Sequence, residues 1–129
     1  MSGKSVRLVE AAFDELARSG VEAFANYWAD DIEWQAIGGR FRGANAGRTY
    51  LQDWFRHFDD LAVEVLEFID LGNDRVVNWV RLRGRSKGSG IEPPPAYFAT
   101  VIELRDGKIA RAVEYATLEE AVQAASVSP

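Results

Sequence analysis

The 129-residue sequence has no cysteine and one histidine. The first absence excludes disulfides, thiol nucleophiles, iron–sulfur ligation and cysteine zinc sites. The second argues against a transition-metal centre, which needs several converging ligands. Long apolar runs are missing as well: Met1 to Gly20 interleaves Lys4, Arg7, Glu10, Asp14, Glu15 and Arg18 with apolar positions. Neither a signal-peptide core nor a membrane span fits there, so the expected location is the cytoplasm and no membrane partner is expected. Basic residues are in deficit, with 15 Lys+Arg against 20 Asp+Glu and a net charge of −5. That balance repels phosphate backbones and disfavours nucleic acid. No nucleotide cofactor is expected, because Gly88 and Gly90 lack the third glycine and the helix of a dinucleotide fingerprint. The stretch Gly84-Arg85-Ser86-Lys87-Gly88 matches Gly-x-Ser-x-Gly. A nucleophile elbow, however, needs a strand-to-helix turn and a downstream histidine, and His57 lies upstream.

What remains is an ordinary globular composition, 47% apolar and 27% charged, expected to form one domain over residues 1–129. Val6, Val9, Phe13 and Leu16 recur at helical spacing up to a stop at Ser19-Gly20. A short second helix is expected from Val21 through Phe24, Tyr27 and Trp28 to Asp30-Asp31. Ile32, Trp34 and Ala36 alternate with polar residues as a strand running into a Gly38-Gly39 turn. A third helix starts near Asn45, carries Tyr50, Leu51, Trp54, Phe55 and Phe58 on one stripe, and ends near Asp59-Asp60. The period then becomes two. Strands are expected over Leu61 to Leu71, Arg75 to Lys87, Tyr97 to Leu104 and Lys108 to Tyr115, with turns at Gly72-Asn73-Asp74 and Asp106-Gly107 and a loop over Gly88 to Pro95. Leu118 to Ala125 reads as a short helix or tail.

Helices followed by antiparallel hairpins define an α+β domain with helices on one face of a curved sheet. Alternation puts Arg81, Arg83, Arg85 and Lys87 on the outer face, as a solvated or paired row, and Asn78, Val80, Leu82 and Gly84 on the other. Phe98, Thr100, Ile102 and Leu104 go to the helix side. The last strand splits into Ala110, Ala112, Glu114 and Ala116 against Ile109, Arg111, Val113 and Tyr115, and polarity alone does not choose between them.

The element order, the segment Tyr27-Trp28-Ala29-Asp30-Asp31-Ile32-Glu33-Trp34 and the closing Val101-Ile102-Glu103-Leu104-Arg105-Asp106-Gly107-Lys108-Ile109 with Glu114-Tyr115 resemble the SnoaL-like branch of the nuclear transport factor 2-like superfamily. The resemblance covers nearly the whole chain. It implies a cystatin-like cone: a strongly curved mixed sheet around three N-terminal helices, with a deep pocket between them and Thr100 and Glu114 on the concave face. It says little about activity, because that superfamily hosts isomerases, cyclases, dehydratases, epoxide hydrolases and non-catalytic binding proteins. Ketosteroid isomerase uses an Asp base with an oxyanion hole of Tyr and protonated Asp. The matching positions here are Ala36, Phe13 and Thr100, so none of its acid/base groups is present. The Arg-x-Asp pair of limonene epoxide hydrolase falls at Val80 and Leu82, although its third carboxylate matches Glu114. SnoaL-type polyketide cyclases also carry an acid/base carboxylate where Glu114 stands, whereas the histidine of their middle strand falls near Ser86 or Arg85.

Glu114 is therefore the candidate catalytic residue. Flanked by Ala110, Ala112 and Ala116 in an apolar cavity, its carboxyl would have a raised pKa and could act as a general acid or base near neutrality. The alternative is a glutamate hydrogen-bonded to a Trp or Tyr in the core, or one at the rim. Asn78 and Thr100 could orient a substrate carbonyl or hold Glu114 in one rotamer. His57 sits at the edge of the third helix's stripe, where it either reaches the pocket or is a helix-surface histidine. The expected pocket lining is Phe13, Tyr27, Trp34, Trp54, His57, Phe58, Asn78, Val80, Phe98, Thr100, Ala112 and Ala116, suited to a small apolar or aromatic ligand. The function expected is cofactor-independent isomerisation, cyclisation or dehydration, with a non-catalytic ligand-binding or protein-interaction scaffold as the alternative. Val77, Trp79, Tyr97, Val101, Ile109, Val113 and Tyr115 make the outer face apolar enough for a homodimer through it, unless the tail from Leu118 to Pro129 folds over the strip.

Overall fold

The computed structural model describes residues 3–127. Helices α1 (Gly3–Ser19) and α2 (Val21–Ala25) lead into strands β1 (Trp28–Ala36) and β2 (Gly39–Arg42). Helix α3 (Ala44–Arg56) is followed by β3 (Phe58–Gly72), β4 (Arg75–Ser86), β5 (Ala96–Arg105), β6 (Lys108–Tyr115) and helix α4 (Leu118–Val127). The strands form one sheet in the order β2-β1-β6-β5-β4-β3. Every pairing is antiparallel except β1 with β6. This is the α+β architecture expected.

Helix α1 turns Val9, Ala12, Phe13 and Leu16 inward, and α2 adds Val21, Phe24 and Ala25. They meet Trp34, Val76, Ile102 and Ala112 of the sheet in one buried cluster. Gly20 makes the break between the helices at φ +94°, a conformation costly for any side chain. The β3–β4 and β5–β6 turns have positive φ at Asn73 and Asp74 and at Asp106 and Gly107. Such backbone matches the twist of paired strands. Bulges along β3 bend that long strand. Gly47 is where α3 lies closest to the sheet: a Cβ there would come 2.6 Å from the Phe41 ring and 2.7 Å from the Trp28 ring.

Several expected boundaries move. Trp28 to Asp31 are strand, not the end of the second helix, because the parallel ladder begins at Trp28 opposite Ile109. The four-residue β2 extends the turn after β1 into a hairpin. Phe58 leaves the helical stripe and opens β3 opposite Ser86, with His57 as the C-cap of α3. Ile109 belongs to the core rather than the outer face. Leu104 faces Ile109 while Glu103 faces Arg111, so Ala110 is an extra residue in β6, and a one-residue slip exchanges faces.

Helix α4 lies on the convex face, where Ala121 and Ala125 pack with Val77, Ala99 and Val101. It starts with a capping box: Glu120 N–H donates to Thr117 Oγ1 at 3.1 Å, and Thr117 N–H donates back to Glu120 Oε1 at 3.2 Å. Much of the strip open to a second copy in the sequence reading is thus covered by this chain's own tail; the end of that tail lies outside the described residues. Two members of the basic row are paired, with Arg81 on Glu64 at 3.0 and 3.2 Å and Arg85 on Asp60 at 2.8 Å. No helix of the described residues is long and apolar enough to cross a membrane.

Candidate functional site

Between the helices and the concave face lies a cavity of about 380 Å³. Phe13, Leu16 and Phe24 form its helical side, and Trp34, Phe41 and Phe98 belong to the sheet wall. Tyr50, Leu51, Trp54 and Phe55 come from α3, while Leu61, Val63, Leu82 and Ala96 continue the apolar lining. Ile37, Trp54 and Tyr97 border the cavity and remain solvent-exposed. The rings pack on one another: Phe24 meets Trp34 edge-on at 6.3 Å, and Phe41 stacks on Trp34 at 5.9 Å.

Glu114 is the one charged side chain among the described residues lining this cavity. β6 places it opposite Thr100, on the concave face, as expected. Its Oε2 accepts from Trp34 Nε1 at 2.8 Å and its Oε1 from the Ile37 backbone N–H at 3.2 Å. Burial pushes the carboxyl above the usual glutamate range, and the two donated hydrogen bonds pull in the opposite direction without cancelling it. The arrangement can therefore present either a carboxylic acid or a carboxylate to a guest, with its rotamer fixed by the neighbouring strand.

Of the expected lining, the cavity contains Phe13, Trp34, Trp54, Phe98 and Glu114. The others lie elsewhere. Tyr27 packs against the core and its carbonyl accepts from Ile109 N–H at 2.8 Å. His57 is exposed, its Nδ1 at 2.7 Å from the Asp53 carbonyl, in a shallow outer groove shared with Phe58, whose ring stacks on Trp54 at 5.9 Å. Val80 and Ala112 are packed within the sheet wall, and Ala116 is exposed beyond the end of β6. Asn78 and Thr100 are completely buried on the concave face but do not line the cavity. Nor do they hold Glu114, a task that falls to Trp34 and Ile37.

The sequence reading overlooked Phe41 and Ile37. The alternation in Gly39-Arg40-Phe41-Arg42 was the available signal for Phe41; Ile37 acts through its backbone, which leaves no residue-type signal. Tyr97, assigned to the outer face, lies at the rim, where it stacks on Trp79 at 5.7 Å. Among the described residues no three His, Asp or Glu side chains converge as a metal site.

A curved sheet closed over by helices is the fold seen in nuclear transport factor 2-like structures. The chain belongs to the SnoaL-like domain family, whose model matches residues 9–112. Among solved structures, TerC co-crystallised with polyporic acid is similar at TM-score 0.74 and 19% identity, over 93% of this chain and 98% of that one. A nuclear transport factor 2-like protein from Burkholderia pseudomallei K96243 is similar at TM-score 0.76 and 16% identity, over 93% and 95%. A candidate SnoaL-like polyketide cyclase from Jannaschia sp. CCS1 is similar at TM-score 0.74 and 21% identity, over 99% and 95%. At such identities the likeness establishes the fold. Comparison with curated proteins gives no match.

Proposed function

We propose that this protein binds a small, mostly apolar organic molecule in the concave cavity and catalyses cofactor-independent proton transfer on it through Glu114. The observation that carries the reading is the carboxyl itself, half-buried among aromatic rings, pushed up in pKa by that burial and held by two N–H donors. Such a group takes a proton from an activated C–H or O–H of the guest and returns it to another atom, the pattern of an isomerisation, cyclisation or dehydration. TerC having been co-crystallised with polyporic acid is consistent with a guest of aromatic character.

The second reading is binding without chemistry. It is favoured by the absence of a second charged group among the cavity's described lining residues. A thermal-shift screen of aromatic and polyketide-like compounds finds guests under either reading, because a ligand of the folded state raises its stability. Glu114→Gln then separates them: binding retained and turnover lost supports catalysis. Turnover that survives the substitution overturns the role of Glu114, and guests that bind but never react favour the second reading.

A further inference from the structure

The β1–β2 hairpin gathers positive charge on the side of the sheet away from the cavity. Gln35 faces Val113 across the parallel ladder, and Val113 faces Val101, which lies beneath α4 on the convex side. Alternation puts Glu33 and Arg111 on that side too, and the hairpin register sets Arg42 opposite Glu33 and Arg40 opposite Gln35. Arg40, Arg42 and Arg111 line one recess of about 230 Å³ together with Glu33, Gln35 and Val113. Three cations thus share a recess with one carboxylate, in a chain whose net charge is −5. Arg42 holds Glu33 at 2.6 Å and Arg111 holds Glu103 at 3.0 Å, each through a single guanidinium nitrogen. The side chains of Arg40 and Gln35 have no partner among the described residues. Charge alone would protect the β2 edge from pairing with another chain, but that task does not require the arginines to converge.

We propose that this recess is a second binding site, independent of the cavity, for the phosphate group of a small molecule. Arg40 offers the fork of parallel N–H bonds that fits a phosphate, Gln35 an amide N–H, and Arg42 and Arg111 their uncommitted N–H groups. The lining residues carry an excess of two positive charges, which a phosphate monoester matches at neutral pH. Glu103, which does not line the recess, reduces that excess without removing it. A monocarboxylate fits the fork of one arginine and leaves the rest of the charge unanswered. One recess in an acidic chain suits a single phosphate and not a nucleic-acid backbone.

The test titrates the full chain with methyl phosphate, inorganic phosphate and acetate at low ionic strength, following the amide resonances of β1, β2 and β6 by NMR. The probes carry no ring, which keeps them out of the aromatic cavity. Methyl phosphate is expected to bind about tenfold more tightly than acetate, with its shifts centred on Gln35 and Arg40. Arg40→Ala should weaken it about tenfold and Gln35→Ala about threefold. Arg40→Lys should recover only part of the loss, because an ammonium keeps the charge without the fork. Arg18→Ala, which removes a cation paired with Glu15 on α1, controls for net charge and should leave the affinity unchanged. Methyl phosphate bound more tightly than inorganic phosphate supports the site and identifies an organic monoester, and equal affinities support it with free phosphate as the ligand. Equal losses in Arg18→Ala and Arg40→Ala, acetate bound as tightly as methyl phosphate, or no phosphate binding below about 10 mM would overturn it. The three arginines would then be edge charges and nothing more.

Discussion

The two faces of the sheet are built from neighbouring residues and handle polarity in opposite ways. On the convex side Arg42 is bound to Glu33, Arg111 to Glu103 and Arg81 to Glu64, and the apolar strip is covered by α4. On the concave side a single carboxyl faces an apolar cavity, and three polar atoms of Asn78 and Thr100 have no protein partner. Val101 and Thr100 are adjacent in the chain and fall on these two sides. The convex ion pairs and the strip under α4 are answered within the chain and are explained by folding. The concave face instead keeps these three polar atoms unanswered within the protein, at a cost in stability.

The comparison breaks most severely where the convex face is dry. Val101 is 6% exposed beneath α4, so Val101→Asp buries a carboxylate without a partner and is expected to lose about 3 kcal/mol or more. Chemical denaturation measures that loss, and sedimentation shows whether the strip released from α4 becomes an interface between copies. A wild-type homodimer, proposed for this face, would have to use what α4 leaves uncovered, the region of Trp79 and Tyr97. A monomeric wild type removes the proposal. On the other side of the sheet Gly47→Ala sets a methyl against both the Phe41 and Trp28 rings. Overpacking of about 1–3 kcal/mol should outweigh the roughly 1 kcal/mol gained in helix propensity, and a stability equal to or above wild type would show that the rings yield.

Much of this contrast was legible in the sequence. Alternation placed Asn78, Thr100 and the arginine row on their correct sides, because a period of two requires it. Matching the closing hairpin to relatives then settled Glu114. Ile109 escaped because a bulge at Ala110 changes the face without leaving a mark in composition. Trp28 to Asp31 escaped because the partner that makes them a strand lies some eighty residues away in the chain, at Ile109 and beyond. Residue types identified Asn78 and Thr100 as polar. That they would be sealed from solvent without partners depends on what the helices cover, which no local pattern encodes.

The pH dependence of the concave face sharpens the comparison with a smaller effect. The folded-state pKa of Glu114 lies above its unfolded value, so its favourable contribution is fullest below the unfolded pKa and is lost as pH rises through the folded one. The unfolding free energy of wild type relative to Glu114→Gln is therefore expected to fall as pH rises from the ordinary glutamate range through the raised folded-state pKa. Trp34→Phe removes a donor that holds the ionised form, which should move the midpoint of that fall upward. A flat difference across the range would mean that the carboxyl is hydrated and its burial inconsequential.

The smallest effect belongs to the convex ion pairs. Arg111 lies opposite Glu103 on one strand and Glu33 on the other, with the Glu103 contact at 3.0 Å, and both side chains of that pair are well exposed. Water screens such a pair, and ordering two long side chains offsets part of the attraction, so a double-mutant cycle of Arg111→Ala and Glu103→Gln should give a coupling of about 0.2–1 kcal/mol. Raising the salt to about 1 M, where the screening length falls to roughly 3 Å, should nearly abolish it. The same cycle on Trp34→Phe and Glu114→Gln should give more, about 1.5–3 kcal/mol for a hydrogen bond to a charged group. It should be less sensitive to salt, because the contact is partly buried. Equal couplings with equal salt dependence would place Glu114 in the same solvated setting as Glu103, and the distinction between the faces would be lost.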